Sequence, residues 1–264
     1  MSVASKYFKI FTIGISELLA WRAGFFMIAL GMTLSWVMLL IFWQAVYAQG
    51  NQIGTFTLRE LLLYYTFMSV SAMILDFGFI WDVAFAVHEG ALTQYLVRPI
   101  SYLSFQFARE LGYRFATLIA FLLPITGAIY FFWNDLPRTF FAWFSILLIL
   151  GLGFFIVALL GFIVAMGAVH LKNPYTLPSL FFAISALLSG RTVPLSIMPS
   201  WLRTICEYSP FPFIGGTAAD IILGNKIGIS LNEIVTALAW IAVLIICSQL
   251  MWKHAAQKYE ASGV

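Results

Sequence analysis

At 264 residues, 62% hydrophobic and 9% charged, this chain has the composition of a membrane protein, since soluble domains are roughly a quarter charged and about half apolar. The formal net charge of +3 is small and dispersed, with no run of Lys or Arg, so no nucleic-acid partner is expected. Cys206 and Cys247 fall in different segments without metal-ligand spacing, so neither a disulfide framework nor a metal centre is expected.

The chain opens without the apolar core of a cleavable signal, because the residues after Lys6 and Lys9 alternate between apolar and polar. Ser5, Lys9, Thr12 and Ser16 form one polar row, and Phe8, Phe11, Ile15 and Leu18 an apolar one. That periodicity predicts an amphipathic helix over 3–21 lying in the membrane interface, or else the start of the first span. Trp21 and Arg22 mark the interface level.

No charge interrupts Ala23–Leu58, and a first span is expected at 25–47. A second follows at 61–83 and contains Asp76 and Asp82. If that span runs to Val83, Asp76 is a buried functional charge suited to proton or cation coupling. If it stops at Leu75, both acids sit in the interface, and the nearby Glu89 favours this second reading.

Val87–Ser101 (VHEGALTQYLVRPIS) is a short, partly charged segment between apolar runs. Leu92, Tyr95 and Leu96 have helical spacing, Gly90 precedes them, and Pro99 ends any helix because it lacks an N–H and clashes with the preceding turn. The segment is either an ordinary connecting loop or a compact helix presented to a soluble partner.

Further spans are expected at 115–133, kinked near Pro124, and at 141–169, 177–197 and 234–252. After Ser189, Arg191, Pro194, Pro199, Arg203, Glu207, Pro210, Pro212 and Asp220 interrupt an apolar region. A lone spanning helix does not tolerate that density, so 199–224 reads as a broken, re-entrant hairpin containing two short helices, Ser200–Tyr208 and Ile214–Leu223. The expected fold is therefore one all-α integral membrane domain, 1–264, with six transmembrane helices.

Six spans place both termini on one side. Lys6, Lys9, Arg22, Arg98, Arg109, Arg114, Lys172, Lys253 and Lys258 share that side, against Arg59, Arg138, Arg191, Arg203 and Lys226, nine to five. The excess predicts cytoplasmic termini, a cytoplasmic 87–101 and an outer hairpin. No internal repeat is evident, and only the second half is broken, unlike many secondary carriers.

Among chemical motifs, the phosphate-binding loop GxxxxGK[ST] is absent, since no lysine follows a glycine. HExxH, CxxC and GxSxG are missing too, and His88–Glu89 lacks a second histidine. Serines, histidines and aspartates are scattered over different expected depths, which argues against an intramembrane enzyme. The chain is not expected to be an enzyme by itself.

Two stretches carry a family resemblance: EGALTQYLVRPIS at Glu89–Ser101 and SGRTVPLSIMPSWLRTICEYSPFPF at Ser189–Phe213. In their order and spacing they resemble the coupling loop and the outer segment of the permease subunits of type 2 ABC transporters, chiefly bacterial exporters. The resemblance covers nearly the whole chain. It implies a cytoplasmic coupling helix docking on a soluble ATPase present in two copies, with Leu92, Tyr95 and Leu96 as apolar contacts, Gly90 and Pro99 bounding them, and Glu89 and Arg98 as rim charges. It implies an outer gate built on Pro194, Pro199, Trp201, Pro210 and Pro212. It also implies a second permease, the same chain or a paralogue, in the plasma (inner) membrane. ATP and magnesium would sit on the partner ATPase, with no cofactor in this chain. Family substrates range from drugs and lipids to polysaccharides, and the lack of a large soluble insertion favours a small amphiphile. The alternative is an ion-coupled carrier using Asp76.

Overall fold

The computed structural model describes residues 3–20, 22–50, 54–76, 78–89, 101–168, 171 and 173–261. Among them are eleven α-helices, two short 3-10 helices and no strand. The α-helices are α1 (Val3–Ala20), α2 (Arg22–Ala48), α3 (Leu58–Leu75), α4 (Phe79–His88), α5 (Tyr102–Ala120) and α6 (Leu122–Phe131). They continue as α7 (Phe140–Gly167), α8 (Thr176–Leu188), α9 (Ser200–Tyr208), α10 (Gly216–Ile222) and α11 (Leu231–Ala261).

α7 is the centre. It is apolar around its whole circumference, as a helix enclosed by other helices or lipid must be. Ile149, Ile156, Ala158, Phe162, Ala165 and Met166 are fully or almost fully buried along it. α11, α4, α10, α8 and α3 pack around α7. α11, by contrast, leaves Leu231, Val235, Leu238, Ile246 and Leu250 more than half exposed, an apolar surface that suits lipid rather than water.

Local sequence sets several helix starts. Thr57 and Glu60 form a reciprocal cap at α3: the Glu60 N–H donates to Thr57 Oγ1 (3.3 Å) and the Thr57 N–H donates to Glu60 Oε2 (2.8 Å). Ser230 and Glu233 repeat the arrangement at α11, at 3.3 and 2.8 Å. Each satisfies backbone donors that the first helical turn leaves unpaired.

Among the described residues three helices, Leu58–Leu75, Phe140–Gly167 and Leu231–His254, are by themselves long and apolar enough to cross a membrane. Phe79–His88 and Thr176–Leu188 are apolar but shorter, while α2 runs over 27 residues.

Helix boundaries depart from the expected spans in three places. The second, expected over 61–83, divides at Asp76–Gly78: Asp76 leaves the helix in an extended conformation and Gly78 starts α4. The third begins earlier than 115, because α5 is helical from Tyr102, and its break falls at Phe121. Pro124 lies three residues beyond, and the proline removes the hydrogen bond that would have crossed this junction. In the fifth, expected over 177–197, the helix stops at Leu188 and is followed by Gly190 at φ 85°, a conformation that favours glycine, and then a 3-10 turn. α9 and α10 stand where two short helices are expected before the last long one.

α1 is helical over nearly the expected range, and its covered face shares Leu18 with the expected apolar row but is turned away from Phe8. Ile10, Gly14 and Leu18 are buried against α5, while Phe8 remains 66% exposed. The Gly14 backbone comes within contact of α5, and this approach fixes the buried stripe. Trp21 lies outside the described residues.

Candidate functional site

The break after α3 gathers the charges of this half of the molecule. A helix ending inside a protein leaves its last carbonyls without partners, and here α5 supplies them. Arg114 Nη1 donates to the Met73 carbonyl at 3.1 Å, and Nη2 donates to the Asp76 carbonyl. A cation at a helix C-terminus also meets the negative end of the helix dipole. Glu110, one turn back on α5, holds Arg114 in place: Nε lies 2.8 Å and Nη2 2.7 Å from Oε1. Their side chains are 9% and 5% exposed for Arg114 and Glu110, so the pair is buried. A buried charge left alone is costly, and each of these keeps the other compatible with the interior.

On the same helix Arg109 reaches two other elements. It donates to Glu17 of α1 at 2.8 Å and to Asp82 of α4 at 2.5 Å. Gln106 accepts from Arg109 at 3.2 Å and donates to the Tyr102 hydroxyl at 2.8 Å. α5 therefore ties α1, the end of α3 and the start of α4 through two arginines.

The Asp76 side chain turns the other way. Both its oxygens accept from Arg191 Nη1 at 2.7 Å, across the molecule from the turn after α8. The charge-sidedness reading puts Asp76 near the cytoplasmic face and Arg191 on the outer one. They meet because α8, at 13 residues, is only about 20 Å long and stops short of a full crossing. The backbone around Arg191 is pinned to α3 by two hydroxyls: Tyr64 donates to the Gly190 carbonyl (2.6 Å) and Tyr65 to the Thr192 carbonyl (3.0 Å). From that anchorage the long arginine side chain runs to the far end of α3.

Two cavities meet at this pair. One of about 780 Å³ carries the charged side chains of Glu17, Asp76, Asp82, Arg109, Glu110 and Arg114 on its wall. An apolar one of about 620 Å³ lies among α2, α3 and α6, with Trp36, Leu39, Met68, Met73 and Ile125 on its walls and Arg191 at one side. Phe121 lines both, Asp76 the first and Arg191 the second. The Asp76–Arg191 pair and Phe121 thus form part of the partition. Trp36 Nε1 donates to Thr66 Oγ1 (3.1 Å), and Trp43 stacks on Tyr65 at 5.3 Å between centroids, which together fasten α2 to α3 beside the apolar cavity.

A third cavity, about 680 Å³, opens near the start of α3 and is lined by Glu60, Arg203, Glu207, Asp220, Lys226 and Glu233. Burial pushes the Asp220 carboxyl above its usual range, with Lys226 pulling the other way.

Of the residues singled out in sequence, Glu89 is exposed at the end of α4. Gly90, Leu92, Tyr95, Leu96, Arg98 and Pro99 lie outside the described residues. Pro194 and Pro210 precede the two 3-10 helices and are buried, as is Pro212. Pro199 immediately precedes α9 and is exposed, like Trp201. Proline is well placed at such starts, where the missing N–H would have no partner. Among the described residues no group of His, Cys, Asp and Glu is arranged to hold a metal ion.

The sequence by itself marks Asp76 but not the roles of Arg109, Glu110, Arg114 and Arg191, nor those of the Tyr64 and Tyr65 hydroxyls. Gly78, two residues after Asp76, is the local signal that could have located the break.

Residues 33–263 match the sequence model of a family described as ABC-2 family transporter protein. No curated protein matches the chain at a significant level.

Proposed function

Since the chain belongs to the ABC-2 family of transporter proteins, we propose that it is the permease subunit of an ATP-driven exporter of a small amphiphile in the plasma (inner) membrane of a bacterium. The observation that supports a conduit is the pair of adjoining cavities, one with several charged side chains on its wall and one with a single charge, divided at Asp76–Arg191 and Phe121. An amphiphile needs both environments along its route, and pockets of several hundred Å³ are of ligand size.

In this reading the chain crosses the membrane six times, with both termini cytoplasmic. The second span (61–83) is α3 running into the start of α4, the third (115–133) is the end of α5 with α6, and the fifth (177–197) is α8 with the turn that follows. α1 lies in the interface, and α9 and α10 form the outer re-entrant hairpin, with Pro194, Pro199, Trp201, Pro210 and Pro212 at the exit. Glu89–Pro99 docks on a soluble ATPase subunit, two copies per complex, which binds ATP and magnesium. Leu92, Tyr95 and Leu96 supply apolar anchoring, and Glu89 and Arg98 orient it. A second permease, this chain or a paralogue, completes the pathway.

α4 leads directly to the docking segment and is tied to α5 through Asp82–Arg109. Movement of the docked segment would therefore bear on α4, α5 and the break at Asp76. An ion-coupled carrier using Asp76 is less well supported, because both carboxylate oxygens are already engaged by Arg191.

The test is gentle detergent purification of the chain from its native membrane with every co-purifying polypeptide quantified. A soluble protein carrying a phosphate-binding loop, at two copies per complex, is expected. A chain that purifies alone and transports in vesicles without ATP would overturn this reading.

A further inference from the structure

Arg191 is the sole charged residue lining the apolar cavity among the described residues. It is also incompletely used. Both Asp76 oxygens accept from Nη1 alone, and Nε and Nη2 make no bond among the described residues. Its side chain is 42% exposed, against 9% for Arg114, so one arginine of this region is accessible and the other enclosed. A guanidinium at the wall of an apolar chamber offers a planar fork for a carboxylate or phosphate, while Trp36, Leu39, Met68 and Met73 offer contacts for a chain.

From this arrangement we infer that the apolar cavity binds an anionic amphiphile, whose head group takes Arg191 from Asp76 and whose tail lies among α2, α3 and α6. The inference rests on the permease reading for its transport meaning but not for the binding itself. Asp76 acts as an internal stand-in for the head group: it occupies Arg191 when the cavity is empty and is its competitor. The displaced carboxylate does not lose all cationic company, because Arg114 already lies against the Asp76 backbone. The exchange also alters the partition between the cavities, since the Asp76–Arg191 contact is part of that wall. Ligand arrival would in this way loosen the junction of α3 and α4 that leads toward the docking segment. A cationic amphiphile meets the opposite condition, with a fixed positive charge at the head-group position.

The test compares three amphiphiles of equal chain length, dodecyl phosphate, dodecylphosphocholine and dodecyltrimethylammonium, binding to the purified complex as it is isolated. Dodecanoate and inorganic phosphate serve as competitors. Dodecyl phosphate is expected to bind about tenfold more tightly than the cationic compound, the size of one charge-assisted hydrogen-bonded contact. Arg191→Gln should abolish that preference and leave dodecyltrimethylammonium binding no weaker than in the wild type. Asp76→Asn should tighten dodecyl phosphate binding a few-fold by removing the competitor, and it decides the matter if Arg191→Gln does not fold. Competition by dodecanoate extends the site to lipid-like carboxylates. Competition by inorganic phosphate alone at equal concentration would show a simple anion site and overturn the inference. So would equal affinities for the anionic and cationic compounds, or unchanged dodecyl phosphate binding in Asp76→Asn. Absence of an ATPase from the complex would overturn the permease reading while leaving this comparison intact. Equal binding with the ATPase present would overturn only the anionic preference.

Discussion

Gly14 of α1 and Gly112 of α5 lie against each other's helices: a Cβ on Gly14 would stand 1.9 Å from the Arg109 carbonyl oxygen, and one on Gly112 would stand 1.9 Å from that of Phe11. Each glycine faces backbone, which cannot rotate away as a side chain can. The two positions are reciprocal, so the crossing of α1 over α5 is set by the absence of two methyl groups. This crossing also carries Glu17 to Arg109.

Gly14→Ala and Gly112→Ala are each expected to destabilise the protein by about 1–3 kcal/mol, the usual cost of overpacking a tight contact. Gly151 in α7 has no atom within 4 Å of its virtual Cβ, and Gly151→Ala should be neutral or stabilising by up to about 1 kcal/mol. Thermal melts in detergent compare the three. Equal behaviour of Gly14→Ala and Gly151→Ala would show that the close crossing does not exist.

The Glu110–Arg114 pair makes a second prediction, about non-additivity. Removing either partner strands a buried charge, so Glu110→Ala and Arg114→Ala should each cost about 3–5 kcal/mol. The double substitution leaves no stranded charge and should cost clearly less than the sum of the two. It will not return to the wild-type value, because Arg114 also caps the Met73 and Asp76 carbonyls at the end of α3. Additive losses in denaturant titrations would rule out a coupled pair.

Asp220 gives a pH dependence. Burial raises its folded-state pKa above the unfolded value, the largest cause, with Lys226 opposing. Its neutral form is therefore favoured by folding: the contribution is fully present below the unfolded pKa of about 3.9 and is lost as pH rises through the raised folded value. The melting temperature of the wild type should fall relative to Asp220→Asn as pH rises from about 4 through that value, and the difference should then stay level. A difference that does not change with pH would show that Asp220 is not desolvated.

The proposed docking segment makes a functional prediction. Tyr95→Ala and Leu96→Asp should leave membrane insertion and ATP hydrolysis in place and lower the molecules moved per ATP about tenfold, as expected when an interface loses a central apolar anchor. Transport and hydrolysis measured together in proteoliposomes give the ratio. An unchanged ratio in both variants would exclude this segment as the contact.

Much of the helical architecture was legible from composition and period. The charge-free run Thr139–Leu171 predicts one long apolar helix, and α7 occupies most of it, because nothing polar in that stretch offers the backbone another partner. The caps Thr57–Glu60 and Ser230–Glu233 are local, acting over three residues, and so are visible in sequence. Clustered prolines between 194 and 212 predict interrupted helices, since each proline removes a donor wherever it stands.

What the tertiary structure alone decided is which charges meet. Asp76 and Arg191 are 115 residues apart, and the expected order of spans puts them toward opposite faces, yet they pair. Nothing in either neighbourhood states that α8 ends short, or that Tyr64 and Tyr65 hold the following turn where Arg191 can reach the end of α3. The buried face of α1 was likewise set by backbone contact at Gly14 and Gly112: Leu18 of the expected apolar row is buried there, and Phe8 of the same row is left exposed. Apolar patterning is a property of each helix by itself and is written along the chain. Long side chains and close backbone crossings obtain their partners only after the helices are packed, and the physical record of that choice lies in the distances between them.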